Sequence, residues 1–403
     1  MSPTGRHTAS TLGPISKVVV IGGGYAGTLA ANHLRMRADV EITLVNPRPQ
    51  FVERIRLHQL VAGTGQATLD YGTLLGEGIR LVVDSATRID TAARTVRLAS
   101  GRTLDYDYLV YAVGSTGALP SSVPGAVEHA WAIAELESAR RLRARLEDLP
   151  LDAPVTVVGG GLTGIETAAE LTEQGRRPTL VCGGILAPSL SAPARRSTAK
   201  WLSRHGVTVL QEVMVREVGP DAVVLGDGTV RDSALTIWAG GFAVPELAAA
   251  SGLRTDAVGR LLTDETLTSL DDERIVAAGD AAAPSDQPLR MSSYAAGPLG
   301  AQAAATVLSR IAGTAPAVID LGFTGSCVSL GRRAGLRQFA RKDDSTTNIY
   351  FDGRLGAAYK EMVLKWSVSK IRREARKPGS ISWIKGGPRP EQPASATRVI
   401  TSP

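Results

Sequence analysis

The 403-residue chain is 43% hydrophobic and 21% charged with a mean hydropathy of +0.02, enough globular material for two or three domains at ~150 residues each, which excludes a small stapled scaffold. Its two cysteines, Cys182 and Cys327, form no CxxC-like pair, which argues against a zinc site or local redox disulfide and for a reducing, cytoplasmic setting. The net charge of +6 is uneven: residues 354–403 hold 11 Lys/Arg against 3 Asp/Glu, leaving −2 on the first 353, so the basic surface is an end feature and not a nucleic-acid groove.

Residues 1–14 are polar and read as a flexible N-terminus without the apolar core of a secretory signal. The longest apolar runs are strand-sized, short of the ~20 residues that span a bilayer. Residues 17–21 form a β-branched strand, 22–27 a glycine loop, 28–36 an amphipathic helix and 40–45 the next strand. The same order returns at 155–158, 159–164, 165–174 and 178–181, displaced by 137 residues. This internal repeat of a βαβ unit predicts two Rossmann-like modules, the second fed by an Arg-rich helix over 134–149. A small β meander follows (207–210, 222–225 and the turn 226–228), then strands at 234–239 and 275–278 and a small-residue helix over 294–311. Short strands at 323–330 and 347–351 precede a basic helix over 355–376.

The predicted fold class is therefore α/β, with a first Rossmann-like domain (15–120 and 246–315), a second inserted into it (121–245), a C-terminal α+β cap (316–385) and a disordered tail (386–403).

In the first module Gly22, Gly24 and Gly27, with Tyr25 and Ala26 between them, fit G-x-G-x-x-G between a strand and a helix. Backbone without side chains can approach a pyrophosphate there, and the helix dipole meets its charge. The carboxylate expected for the ribose at the end of the second strand is replaced by Asn46, a neutral acceptor. In the second module Gly159, Gly161 and Gly164, with Leu162 and Thr163, repeat the spacing, and Cys182 stands at the strand end. With neither a carboxylate nor an adjacent arginine at that strand end, the preference between NAD and NADP is not readable. Arg176, Arg177, Arg195 and Arg196 read as solvated surface arginines, with 2′-phosphate binding as the alternative. No metal-ligand spacing occurs.

The stretches VVVIGGGYAG, LDYDYLVYAVGS, VTVVGGGLTGIETAAEL, TIWAGGF and IVAAGDAAA, taken in this order, make residues 17–315 resemble the flavoproteins with two dinucleotide-binding domains. These include type II NADH dehydrogenases, apoptosis-inducing-factor-like oxidoreductases, sulfide:quinone reductases and, more broadly, pyridine nucleotide-disulfide oxidoreductases. The resemblance implies FAD on the first module, with Ala112, Gly279 and Asp280 beside it, and NADH or NADPH on the second. Gly114 and Gly240 fall at the crossovers where the cofactors approach, and Glu166 matches a family glutamate near nicotinamide and flavin. A helix-start carboxylate favoured by the dipole is the alternative for Glu166.

Three departures stand out. Where quinone-reducing members carry AQxAxQ, this chain has Tyr294 and Pro298 in place of the glutamines, which makes Tyr294 a candidate for the substrate face of the flavin. The segment where disulfide reductases keep a CxxxxC pair has no cysteine, which excludes disulfide reduction. There Arg54, Arg56 and His58 alternate, as a polar wall toward flavin or as a solvated face, and Arg54 is taken as FAD-binding. Cys327 lies near a sulfide:quinone reductase thiol without its partner and reads as structural.

The expected function is an FAD-dependent NAD(P)H oxidoreductase passing hydride to flavin and on to a small organic or quinone-like acceptor. Two alternatives remain open: a flavin oxidase or dehydrogenase of a specialised metabolite with an idle second module, and a flavin redox sensor or electron-transfer adaptor. The helix with Tyr359, Met362, Val363 and Trp366 amid basic residues suits either anionic lipid at the inner face of a membrane or packing on the protein or a homodimer mate.

Overall fold

The computed structural model describes residues 15–387 and Arg389. The expected flexible N-terminus (1–14) and, from the expected tail, residues 388 and 390–403 lie outside the described residues.

The β-branched run Ser16–Ile21 is the middle strand of a parallel five-stranded sheet in the order Ile275–Ala277, Tyr108–Tyr111, Ser16–Ile21, Val40–Asn46, Ile79–Val83. Val18, Val19, Val20 and Ile21 are all buried, the pattern of a strand covered on both faces. One cover is the pair of helices Tyr25–Leu34 and Ser293–Ile311. Their closeness follows from composition: a Cβ on Gly300 would lie 2.2 Å from the Ala26 carbonyl oxygen, so the alanine- and glycine-rich sequence of the second helix lets the backbones meet.

The second sheet repeats the first, in the order Ala130–Ala132, Leu235–Trp238, Val155–Val158, Thr179–Val181, Thr208–Leu210, again all parallel. In both, the strand before a glycine loop is central. The chain passes between the sheets through an antiparallel pair, Thr116–Gly117 with Phe242–Ala243. The expected meander is present as Val215–Val218, Ala222–Leu225 and Val230–Asp232.

The C-terminal region is an antiparallel sheet of Gly325–Ser329, Gly335–Ala340 and Thr346–Asp352 followed by the helix Gly353–Arg376. Gly335 and Gly356 allow that helix to lie directly on the sheet, since a Cβ at 356 would stand 2.1 Å from the Gly335 carbonyl oxygen. Its far end is clipped to the first module by Glu374, which meets His33 Nδ1 at 2.7 Å and accepts from the Gly379 and Ile381 amides. Gly386 and Gly387 both donate to Asp320 Oδ1 at 2.8 Å, so the chain is still anchored where the disordered tail was expected to begin.

Candidate active site

A cavity of about 510 Å³ begins at the first glycine loop and ends against the helix that follows the second. The three glycines of the first loop divide the work. Gly22 turns the chain at φ +102°, with no room for a Cβ beside the Ala112 carbonyl; a Cβ on Gly27 would lie 1.8 Å from the Gly22 oxygen; Gly24 has nothing within 4 Å of the Cβ position. The first and third glycines thus shape the loop, while the second faces open space on the cavity wall.

Asn46, expected beside the ribose, lies on the cavity wall with its amide engaged by backbone. Its Oδ1 accepts from the Gly23 amide at 2.9 Å and its Nδ2 donates to the Arg48 carbonyl. The amide thus bridges the glycine loop and the turn at Arg48, and the Tyr71 hydroxyl donates to the Gly23 carbonyl at 2.6 Å. The carboxylate on this part of the wall is Asp84, which follows the strand Ile79–Val83 and was not singled out from sequence.

Gly279, at φ +71°, turns the chain so that Asp280 Oδ2 accepts from Ser115 Oγ at 2.7 Å. Arg54 donates to the Ser115 carbonyl at 2.6 Å and to that of Ala134 at 3.2 Å, tying together three segments. Ala112, Gly114, Ser115, Arg54 and Asp280 all line the cavity with Tyr25 and Ala26. Arg56 does not: its guanidinium pairs with Glu361 at 3.0 Å and Glu53 at 3.3 Å.

Glu166, on the helix Leu162–Glu173, is the centre of a buried charged cluster. Its Oε1 lies 2.7 Å from Lys360 Nζ and accepts from the Ser329 amide at 3.0 Å, while Oε2 faces His58 Nδ1 at 3.7 Å. Burial raises the carboxyl's pKa, but the Lys360 ammonium, His58 and the Ser329 amide outweigh it and hold the group below its ordinary value. Burial likewise works against the Lys360 ammonium, and Glu166 keeps its pKa above the ordinary value. The pair stays ionised at neutral pH. His58 is pushed down to about 4, by burial first, against the pull of Glu166, and is neutral at pH 7. Lys360 was read as one of the basic flanks of its helix. A signal was available: it falls in the i, i+4 series Gly356, Lys360, Leu364, Val368, whose other members are buried.

Tyr294 is placed elsewhere. Its hydroxyl donates to the Gly322 carbonyl at 2.9 Å and its ring packs on Phe323, whereas Ser292, Ser293 and Ala296 face the cavity. On the first turn of a helix a one-residue offset rotates the side chain by ~100°, and position 294 falls on the side covered by the cap.

The second glycine loop has the same division. Gly159 turns at φ +125° beside Gly240, a Cβ on Gly164 would lie 1.9 Å from the Gly159 oxygen, and Gly161 is open. Leu162 packs into the module and Thr163 reaches the cavity. Cys182 backs Gly160, and burial pushes its thiol up to about 11, so it stays protonated. Arg176 is buried and donates to the Leu146, Leu149 and Pro150 carbonyls. It closes a helix end and is not a surface arginine. Cys182 and Cys327 are both free.

Residues 16–305 match the family model described as pyridine nucleotide-disulphide oxidoreductase. An NADH dehydrogenase-like protein of Mycobacterium tuberculosis is 31% identical over 327 residues, covering 73% of this chain and 80% of that protein. A type II NADH:quinone oxidoreductase of Staphylococcus epidermidis is 27% identical over 402 residues, covering 86% and 98%. Among solved structures, the sulfide:quinone oxidoreductase of Aquifex aeolicus is similar with a TM-score of 0.75 at 21% identity, over 90% of this chain and 93% of that one. NDH2 from Plasmodium falciparum, solved in complex with NADH, is similar with a TM-score of 0.72 at 16% identity, over 91% and 99%. At these identities the structural likeness is one of fold.

Proposed function

The chain belongs to the pyridine nucleotide-disulphide oxidoreductase family, and from that premise we propose that it is an FAD-dependent NAD(P)H oxidoreductase whose acceptor is quinone-like. The observation that carries the reading is one cavity that starts at the first glycine loop and reaches Thr163 and Glu166, on the first turns of the helix that follows the second glycine loop.

The residues present fit FAD: Gly24 leaves space for a pyrophosphate at a helix N-terminus, and Asp280 with Ser115 supplies acceptor and hydroxyl groups suited to the ribityl chain. Held there, FAD would supply the two-electron chemistry that links hydride from NAD(P)H to reduction of the acceptor. The protein contributes binding, shape and a fixed positive charge. A quinone needs two electrons and two protons, and NAD(P)H with its flavin supplies both electrons but one proton. The second proton comes from water, while the Lys360 ammonium, held protonated by Glu166 on the cavity wall, offers a positive charge to a reduced acceptor. The segment Gln50–Val52 and Arg54–Arg56 has no cysteine, so a dithiol relay to disulfides has no residues to run on. A short-chain quinone is therefore expected to reoxidise the reduced enzyme without oxygen, while a disulfide such as oxidised glutathione leaves it reduced; the opposite pattern would refute the acceptor assignment.

We also propose that the enzyme rests on anionic lipid through the helix Gly353–Arg376. Its buried face packs on the cap sheet, and its outer face exposes Leu355, Met362 and Trp366 (73%, 50% and 58%) beside Lys365, Lys370 and Arg373. Apolar insertion flanked by cations suits such a surface. No helix among the described residues is long and apolar enough to cross a membrane. Sedimentation with phosphatidylglycerol vesicles is expected at low salt and lost in W366S/M362S; vesicle binding unchanged in that variant would contradict the assignment.

A further inference from the structure

The chain leaves the edge strand Ala130–Ala132 of the second sheet and enters the helix Leu136–Asp148 through a short segment that crosses onto the first module. Ile133, Ala134, Glu135 and Leu136 all line the cavity. Gly117 gives the segment room, since a Cβ there would lie 2.9 Å from the Ala134 Cβ. Two arginines of the first module, both on the cavity wall, pin it. Arg54 Nε donates to the Ala134 carbonyl at 3.2 Å while its Nη1 donates to the Ser115 carbonyl at 2.6 Å. Arg48 holds the next stretch: Nε and Nη2 donate to the two carboxylate oxygens of Glu137 at 2.7 and 2.6 Å, and Nη2 also reaches Glu135 at 3.1 Å. The Arg48 and Glu135 side chains are 30% exposed, and Glu137, which is off the cavity wall, is 52% exposed. This second pin therefore stands between the cavity and solvent. The Arg48 hydrogen bonds hold the Glu137 carboxyl down to about 2, so the pair is ionised at any working pH.

Arg48 follows the second strand of the first sheet, Val40–Asn46, and in this fold the adenosine half of a dinucleotide lies beyond that strand end. We propose that residues 133–137 form a strap over the adenosine end of the FAD site, and that the Arg48–Glu137 pair is the latch that gates flavin entry and release. This rests on the functional reading above. The latch joins protein to protein and uses no atom of the flavin, so it resists opening whether or not FAD is bound. FAD then passes only through the fraction of molecules whose strap is unpinned, a local opening of the kind set by few and exposed contacts. Loosening the latch enlarges that fraction. It speeds entry and release by the same factor and leaves the affinity where it was. A side chain that contacted FAD directly would behave differently, because its loss quickens release and leaves entry unchanged.

Two variants and two rates test it. Arg48→Met removes the guanidinium and keeps an unbranched side chain; Glu137→Gln keeps the shape of the partner and removes its charge. Release is followed on holoprotein carrying radiolabelled FAD and chased with excess unlabelled FAD. Entry is followed by the quenching of flavin fluorescence when FAD is mixed with apoprotein. Both rates are expected to rise ~5-fold in each variant, the worth of a bidentate ion pair near solvent, with Kd within ~2-fold of wild type because the two changes cancel. Unchanged rates in both variants would overturn the proposal. So would release that quickens while entry does not, which would make the pair a flavin contact and not a gate. Glu137 is half exposed, so Glu137→Gln decides the matter even if Arg48→Met does not fold. Wild-type protein that takes up no FAD would defeat the functional reading itself, a result distinct from a flavoprotein whose exchange rates ignore the latch.

Discussion

A valine at position 24 is expected to give a folded protein that does not retain flavin. The Gly24 Cβ position has nothing within 4 Å and a backbone φ of −76° that any residue adopts, so the fold has no reason to object. The side chain would occupy the part of the cavity wall where a pyrophosphate must approach the helix N-terminus. FAD affinity should fall by at least ~100-fold, about 3 kcal/mol, with the thermal midpoint of the apoprotein close to that of wild-type apoprotein. Valine at position 27 is the control with the opposite logic, since a Cβ there would stand 1.8 Å from the Gly22 oxygen and the loop itself must break. A yellow, fully loaded Gly24→Val protein would remove the pyrophosphate from this loop.

Glu166→Ala should damage stability and electron transfer together. It leaves the Lys360 ammonium buried without its carboxylate, 2.7 Å away in the wild type, and breaking one side of a buried pair costs about 3–5 kcal/mol. It also releases the Ser329 amide and the back of His58. Reduction of the flavin by NAD(P)H is expected to slow by ~10-fold or more, the scale of one misplaced polar contact at a reacting centre. Pairing Glu166→Leu with Lys360→Met should restore most of the stability, because a buried ion pair is often replaceable by apolar side chains of similar volume, and should leave the rate impaired. Urea denaturation and stopped-flow absorbance separate the two effects. Stability and rate both unchanged in Glu166→Ala would reduce the residue to a helix-start carboxylate.

What could be read from the sequence was local. Each glycine loop declares itself within six residues, and its copy 137 residues later fixes the two-sheet plan. Glu166 was legible because it lies five residues beyond Gly161 on the same helix. The groups that complete its surroundings were not, because His58, Ser329 and Lys360 come from segments 108, 163 and 194 residues away and meet only through tertiary packing. Lys360 looked like one basic residue among many. Asn46 was legible as a strand-end polar residue, but its commitment to the Gly23 amide depends on the loop's path. Tyr294 failed for a geometric reason: its helix was correctly placed, but the rotation of the first turn decides which side chain meets the cavity. The strand Gly335–Ala340 was missed since Leu336 to Phe339 interleave Arg337 and Gln338, both buried and hydrogen-bonded inside the cap, which disguises its inward face.

The most direct test of the account is to follow the flavin band near ~450 nm in the purified holoprotein under anaerobic conditions while NADH, and in a separate sample NADPH, is added. The account predicts that at least one nucleotide bleaches the band rapidly and stoichiometrically, because one cavity runs from the Gly24 loop to Thr163 and Glu166 on the helix that follows the second glycine loop. A protein that holds FAD but is bleached by neither nucleotide would contradict the claim that the second module is a working donor site.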